Sequence, residues 1–370
     1  CDIADLHLAI EPGTDVALFH GILHILLQQN WVDHAFIQAH TDGFADLAQL
    51  VQDYAPAHTA KLCGISEADL NLAASLIGTA PSFLSMWCMG LNQSTSGVDS
   101  LPANAGLSAV ELFEAVRTGG IKAIWIACTN PAQSMPNQTL IHEALVACPF
   151  VVVQEAFFTT ETCRYADLLL PAASWGEKEG TVTNSERRIS HVRSAVPAPG
   201  QARADWAIVC DFARRLERQL RPGLPSLFGF SSPAEIFDEY KQLTTGRDLD
   251  YSGLSHQLID ELGPQQWPFN VKTQQGTQHL YTDGKFATDN GNALFVSEPY
   301  QPARERRDVR YPLILNTGRL RDQWHGMSRT GTAAQLFGHV EQALLSLHPD
   351  DLDKHDLHDG DLVRVSSRRG

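Results

Sequence analysis

The chain has 370 residues, 43% of them hydrophobic and 19% charged, which excludes disorder, collagen and coiled coil and gives two or three globular units rather than one. Lysine and arginine number 28 against 43 aspartates and glutamates, a net charge of −15 with histidines neutral. That balance argues against a coat on nucleic acid or a polybasic membrane patch and leaves room only for local basic pockets.

In chain order, Pro12-Gly-Thr-Asp15 precedes an apolar run from Val16 whose spacing predicts a helix, with Thr14 or Asp15 as its cap. A second helix is expected from Trp31 through Phe36 and Ile37, and Ser66-Glu-Ala-Asp69 announces a third. Pro81 to Met89 reads as a short strand that stops at Gly90 and enters the polar loop from Leu91 to Gly97. Ser108 to Thr118 predicts a helix with Glu111 near its start and Arg117 near its end, and Gly119-Gly120 releases it into the strand Ile121 to Ala127. A helix from Asn137 to Ala147 separates that strand from Phe150 to Gln154, and Ala166 to Pro171 adds one more after a Thr-rich helix start.

Strand, helix and strand repeated in this way predict a parallel sheet. Ligands bind such sheets where strand C-termini meet loops, so Asn92, Thr129, Asn130, Gln154 and the residues after Pro171 fall on one rim. Downstream, a helix from Trp206 to Gln219 lies between proline-rich stretches, and residues 231–310 read as short helix and irregular connection. Tyr311 to Asn316 predicts a fresh strand, and Asp359-Gly-Asp361 followed by alternating residues predicts the opening of a small all-β unit. The expected domains are 1–80, helical; 81–230, an α/β binding unit; 231–310, connecting; and 311–370, the start of a β domain.

Seven cysteines, at 1, 63, 88, 128, 148, 163 and 210, contain no CxxC pair and no disulfide framework, which fits a reducing, cytoplasmic setting. Cys88, Cys128 and Cys148 sit in or beside apolar runs, where small buried hydrophobes belong. His20 and His24 share a helix face but have no carboxylate companion, so His7, His20, His24, His34 and His40 read as core or helix-surface residues rather than a metal centre. No run approaches the ~18 apolar residues of a transmembrane helix. There is also no Gly-x-Ser-x-Gly elbow, Walker loop or complete Rossmann fingerprint. The opening on Cys1-Asp-Ile, without Met, and the close on Arg369-Gly370 straight after a strand-like run suggest a portion of a longer protein.

Two polar concentrations stand out. Trp175 to Arg188 holds three carboxylates, three cations, three hydroxyls and Asn184. It is open to two readings, a polar-ligand site or a surface hairpin with charged faces. In the first, Gly176 and Gly180 allow close backbone approach and Arg187 and Arg188 make fork-like bonds to phosphate or carboxylate. The second concentration, Thr317 to Gly331, puts Arg319, Arg321, His325 and Arg329 beside Trp324, a local positive island suited to an anion.

Taken together, Pro-Gly-Thr-Asp15, Met-Gly-Leu-Asn-Gln93, Cys-Thr-Asn-Pro131, Gln-Glu-Ala-Phe157, Ala-Asp-Leu-Leu-Leu-Pro171, Glu-Lys-Glu-Gly-Thr-Val-Thr-Asn-Ser-Glu-Arg-Arg188 and Gly-Arg-Leu-Arg-Asp-Gln-Trp-His325 resemble the molybdopterin oxidoreductases. Within that family the chain is most similar to the bacterial assimilatory nitrate reductase catalytic subunits, through Asp-Gln-Trp-His325 with Arg-Thr-Gly331 and through Thr-Asn-Ser-Glu-Arg-Arg188.

The resemblance implies a multidomain α/β fold with parallel-sheet dinucleotide-binding units and the start of a C-terminal β-barrel. It implies molybdenum held by two molybdopterin guanine dinucleotides, with Asn92 and Gln93 on the pterin side. Thr129, Asn130, Ser134, Gln154 and Asp167 would serve one dinucleotide tail, and Glu179, Thr181, Asn184, Arg319, His325 and Arg329 would be contacts around the pocket. The activity implied is reduction of nitrate to nitrite, with a formate dehydrogenase-like enzyme or a noncatalytic structural subunit of the same fold as alternatives. It further implies a 4Fe-4S cluster and a molybdenum ligand outside this chain, and an electron donor such as ferredoxin, flavodoxin or an NADH-linked flavoprotein. The family's long glycine-rich segment is expected to be missing near residues 99–101.

Overall fold

The computed structural model describes residues 4–83, 107–303, 306–338, 340 and 342–368. Asn92, Gln93, Cys88 and the expected gap near 99–101 lie outside them. The chain divides into two compact units, Cys1–Ala105 with Gln278–Asn316 and Gly106–Thr277 with Thr317–Gly370.

The first unit is helical: α1 (Asp15–Gln28), α2 (His34–His40), α3 (Phe44–Leu50), α4 (Pro56–Cys63) and α5 (Glu67–Thr79). Thr14 takes the N-cap position of α1 but its hydroxyl donates to the Glu11 carbonyl instead of capping. Asp33 and Ser66 do cap, accepting from the backbone N–H groups of Phe36 and Asp69. The core is Leu18, Ile22 and Ile25 of α1 against Ala60, Cys63, Leu70 and Ala74. Two-residue strands Thr41–Asp42 and Ala293–Leu294 pair in parallel. Gly43 follows the first with φ +77°, and a Cβ there would run into the Phe295 carbonyl oxygen, so both conformation and contact call for glycine. His24 is buried with Nδ1 2.8 Å from the Val51 carbonyl, and His20 meets the Glu298 carbonyl at 2.9 Å, so both are structural histidines.

The second unit carries the predicted parallel sheet, β1 (Ile124–Ala127), β2 (Val151–Glu155) and β3 (Leu168–Pro171), in that spatial order. Ile126 pairs with Val153, and Val153 with Leu169. The intervening helices are α6 (Ala109–Arg117), α7 (Pro131–Ser134) and α8 (Gln138–Ala147). Ser108 and Glu111 form a complete capping box at α6. Phe113, Val116, Ile141, Ala144 and Leu145 pack with Ile126, Val151 and Val153 into one core.

Past the parallel sheet, β4 (Gly180–Thr183) and β5 (Arg188–Val192) make an antiparallel hairpin whose far edge takes β6 (Gln265–Gln266). Helices α9 (Asp205–Leu220), α10 (Pro233–Gln242) and α11 (His256–Leu262) surround it, and Ile189, Phe237, Tyr251, Leu254, Ile259 and Phe269 form a second core. α12 (Pro349–Lys354) is the last helix described. No helix among the described residues is long and apolar enough to cross a membrane.

Residues 311–316 and 361–366 form no ladder, contrary to the strands expected there. Alternation makes a segment fit for a sheet, but a strand exists only when a neighbour takes its backbone hydrogen bonds, and among the described residues neither segment has such a neighbour.

Candidate functional site

The loops at the C-terminal ends of β1, β2 and β3 surround a cavity of about 260 Å³. Its lining includes Cys128 to Asn130 after β1, Glu155 after β2 and Ser174 to Lys178 after β3, with Asp205 from the start of α9. Trp324, His325 and Arg329 complete it. This is the strand-end rim on which a parallel sheet places its ligands.

Asp205 organises the cavity. Its Oδ2 receives the Lys178 ammonium at 2.6 Å and its Oδ1 receives Gln154 Nε2 at 2.7 Å, with Cys128 Sγ 3.7 Å away. Burial alone would raise the Asp205 carboxyl, but the Lys178 and Gln154 hydrogen bonds outweigh it and hold the group below its ordinary value. Gln154 is 2% exposed, and its Oε1 is buried with no hydrogen-bond partner among the described residues. Partial burial, and next the Asp205 carboxylate, push the Cys128 thiol up. Cys128 is an exposed rim residue with φ +59°, not the buried hydrophobe expected for it.

Asn130 shapes the β1 loop from within. Its Oδ1 accepts from the Thr162 N–H and hydroxyl at 3.1 and 2.7 Å, and its Nδ2 donates to Glu161 at 2.7 Å and to Gln133 at 3.1 Å. The Asn130 bond is the chief cause that lowers the Glu161 carboxyl. Ser134 returns its hydroxyl to the Asn130 carbonyl at 3.0 Å. Above the loop, the Lys178 ammonium lies 5.3 Å from the Trp175 ring centroid. Trp324 stands edge-on to His325, which has φ +46°. Two half-exposed indoles and left-handed backbone at two rim positions concentrate at this cavity.

Thr129, Asn130, Ser134, His325 and Arg329 thus line one cavity, with Gln154 in the strand behind it. Asp167 is at the opposite end of the sheet, where its carboxylate accepts from the Val151 N–H at 2.7 Å. Arg319 is exposed and does not line the cavity, and Arg321 pairs with Asp322 at 2.7 Å. Glu179 and Thr181 border a second cavity, about 370 Å³, with Trp206, Phe237 and Tyr251.

Asn184 turns the hairpin, its Oδ1 accepting from the N–H groups of Glu186 and Arg188. Arg187 donates to the carbonyls of Trp267 and Thr277, and Arg188 to Glu186 and the Pro264 carbonyl. The arginine pair therefore anchors the hairpin to its own surroundings, and the surface-hairpin reading describes the tip of this segment. Gly176 and Gly180 face open space.

Lys178 lies in the Trp175 to Arg188 polar concentration, whereas Asp205 belongs to no such concentration. It is visible in sequence only as an acidic residue at a helix start, and its role arises from contacts distant along the chain.

Residues 1–215 match the family described as Molybdopterin oxidoreductase, and residues 313–370 match the Molydopterin dinucleotide binding domain. A nitrate reductase of Synechocystis sp. is 35% identical over 420 aligned positions, covering 94% of this chain and 57% of that protein. The F420-dependent formate dehydrogenase subunit alpha of Methanocaldococcus jannaschii is 30% identical, covering 99% of this chain and 62% of that protein. The chain thus spans between half and two-thirds of the length of these relatives. Among solved structures, acetylene hydratase from Pelobacter acetylenicus aligns with a TM-score of 0.59 at 17% identity, covering 80% of this chain and 49% of that one, a likeness of fold. With more than half of its length matched by one family and the same fold found in the structure, the chain belongs to the molybdopterin oxidoreductases.

Proposed function

We propose that this chain is part of the catalytic subunit of a molybdenum-dependent nitrate reductase, converting nitrate, two electrons and two protons into nitrite and water. The observation that carries the substrate is the 35% identity with the Synechocystis nitrate reductase across 94% of the chain. The 30% identity with a formate dehydrogenase subunit supports a formate dehydrogenase-like activity as the second reading.

The first cavity fits one end of a guanine dinucleotide. Gln154 Oε1 is a buried acceptor lacking a donor, and the Asp205 carboxylate beside it adds further acceptor capacity, a set complementary to the N–H edge of a guanine. Trp175 and Trp324 offer flat faces for a base, and Lys178, His325 and Arg329 offer positive charge to phosphates. Thr129 and Ser134 add hydroxyls, while Asn130 keeps the loop in shape through Glu161 and Thr162. At about 260 Å³ the cavity takes one end of such a molecule and leaves the remainder to neighbouring surface. When bound, the molybdenum cofactor supplies the two-electron oxygen-atom chemistry. The part of this chain's residues is to bind, orient and neutralise. A second guanine dinucleotide, a 4Fe-4S cluster, a ferredoxin, flavodoxin or NADH-linked donor and a cytoplasmic setting belong to the same reading.

The test is a dye-linked assay of the whole subunit, with reduced viologen and nitrate in one arm and oxidised viologen and formate in the other. Nitrate-dependent dye oxidation is expected. Formate-dependent dye reduction without nitrate turnover would replace this reading by the second. Absence of molybdenum and pterin from the whole subunit as purified, with no activity in either arm, would favour a noncatalytic structural subunit.

A further inference from the structure

Away from the first cavity, three potential metal ligands from separate parts of the second unit converge. Glu179 immediately precedes β4, His191 lies on β5 opposite Thr181, and His256 is the first residue of α11. Glu179 Oε1 is 3.1 Å from His191 Nε2 and 3.8 Å from His256 Nδ1, and one ligand atom from each residue falls within 4.8 Å of the other two. The imidazoles stack tilted, with centroids 4.2 Å apart, and both side chains are about nine-tenths buried.

Two features point to a missing ligand. His256 is 9% exposed, and its Nδ1, the nitrogen that faces Glu179, makes no hydrogen bond among the described residues, standing 3.8 Å from Glu179 Oε1. A buried imidazole left so costs stability unless something else engages it. In addition, His191 Nδ1 is 2.7 Å from Asp260 Oδ1, and Asp260 is held by Arg193 at 2.5 Å. A carboxylate on the far nitrogen of an imidazole fixes its tautomer and turns the other nitrogen toward a metal, as outer partners of zinc-bound histidines do.

We infer that Glu179, His191 and His256 form a site for a divalent transition metal of the zinc class, fastening the β4–β5 hairpin to α11. With zinc–ligand bonds of about 2.0–2.2 Å, tetrahedral ligand atoms stand roughly 3.3–3.6 Å apart. The two separations to Glu179 bracket that range, so small side-chain rotations complete the triangle. Two imidazoles and one carboxylate leave the fourth position to water. Binding displaces any proton carried by His191 Nε2 and leaves the Asp260 contact intact. Nitrogen and oxygen donors of this kind favour zinc over magnesium, which prefers all-oxygen octahedra.

The test uses the full chain, stripped with chelator and dialysed against zinc or magnesium. Metal is counted by plasma mass spectrometry, and the zinc shell is read by zinc-edge X-ray absorption, which molybdenum and iron do not obscure. One zinc per chain is expected, with a nitrogen–oxygen shell carrying the scattering signature of two imidazoles, and no retained magnesium. His191→Ala and Glu179→Gln should abolish the stoichiometric zinc, and Asp260→Asn should weaken it about 10–100-fold. Glu179→Gln changes a half-exposed side chain, so the comparison survives if a histidine variant fails to fold. No retained zinc, a sulfur-containing shell, or full loading in both His191→Ala and Glu179→Gln would overturn the assignment.

Discussion

Lys178 and Asp205 meet at 2.6 Å across the first cavity, joining the loop after β3 to the first turn of α9. Both side chains are largely buried, and the carboxylate also receives Gln154, so an amide in its place keeps one acceptor oxygen for two donors and sets an NH2 against the other donor. Asp205→Asn is expected to cost about 1–3 kcal/mol in urea unfolding. The carboxyl titrates below its ordinary value in the folded chain, so its contribution is complete above about pH 4 and is lost as pH falls through the depressed value. In Asp205→Asn that acid-side loss should shrink, which paired unfolding curves at neutral and acid pH will measure.

The Asn130 clasp gives a second test. Thr162 is fully buried and both its N–H and its hydroxyl rely on Asn130 Oδ1. Asn130→Ala should destabilise the unit by about 1–3 kcal/mol. Asn130→Asp retains the acceptor but sets a second carboxylate against Glu161, so its stability should recover as pH falls far enough to protonate one of the pair. Thermal unfolding across pH distinguishes the two variants.

Elements with local signals were legible. The Ser108–Glu111 box, the helix it starts, and three short apolar runs separated by helices are enough to predict the parallel sheet and its strand-end rim. What was hidden depends on contacts far apart in the chain. Nothing in the surroundings of Asp205 announces that Lys178 and Gln154 converge on it, and His191 and His256 look unremarkable until a hairpin and a helix bring them together. Charge alone left two readings open. For Arg187 and Arg188, composition cannot tell a guanidinium facing a pocket from one facing a backbone carbonyl, and the structure shows both donating to carbonyls.

The second core yields a prediction at alkaline pH. Burial, and next the neighbouring Tyr240, push the Tyr251 phenol from 10.0 up to about 12, and its ring stacks on Phe237 at 5.7 Å. A group whose folded value is raised contributes stability that is whole below the unfolded value and lost as pH climbs through the folded one. The chain should lose stability from this group between pH 10 and about 12, and Tyr251→Phe should flatten that window. Denaturant titrations at stepped alkaline pH, alongside phenolate absorbance, measure both effects.

Arg319 and Arg329 belong to one positive island in the sequence but differ in the structure, since Arg329 lines the first cavity and Arg319 is exposed outside it. If the cavity holds a dinucleotide phosphate, a guanidinium at its wall acts at contact distance, while one facing solvent acts through water and salt. Arg329→Ala in the whole subunit should lower bound molybdenum and releasable guanine nucleotide several-fold, and Arg319→Ala should lower them less. The difference should persist in high salt, because screening weakens the exposed charge and leaves a direct hydrogen-bonded pair largely intact. Equal losses in the two variants would show that position relative to the cavity does not govern cofactor retention, and would shift the phosphate site toward the exposed side of the island.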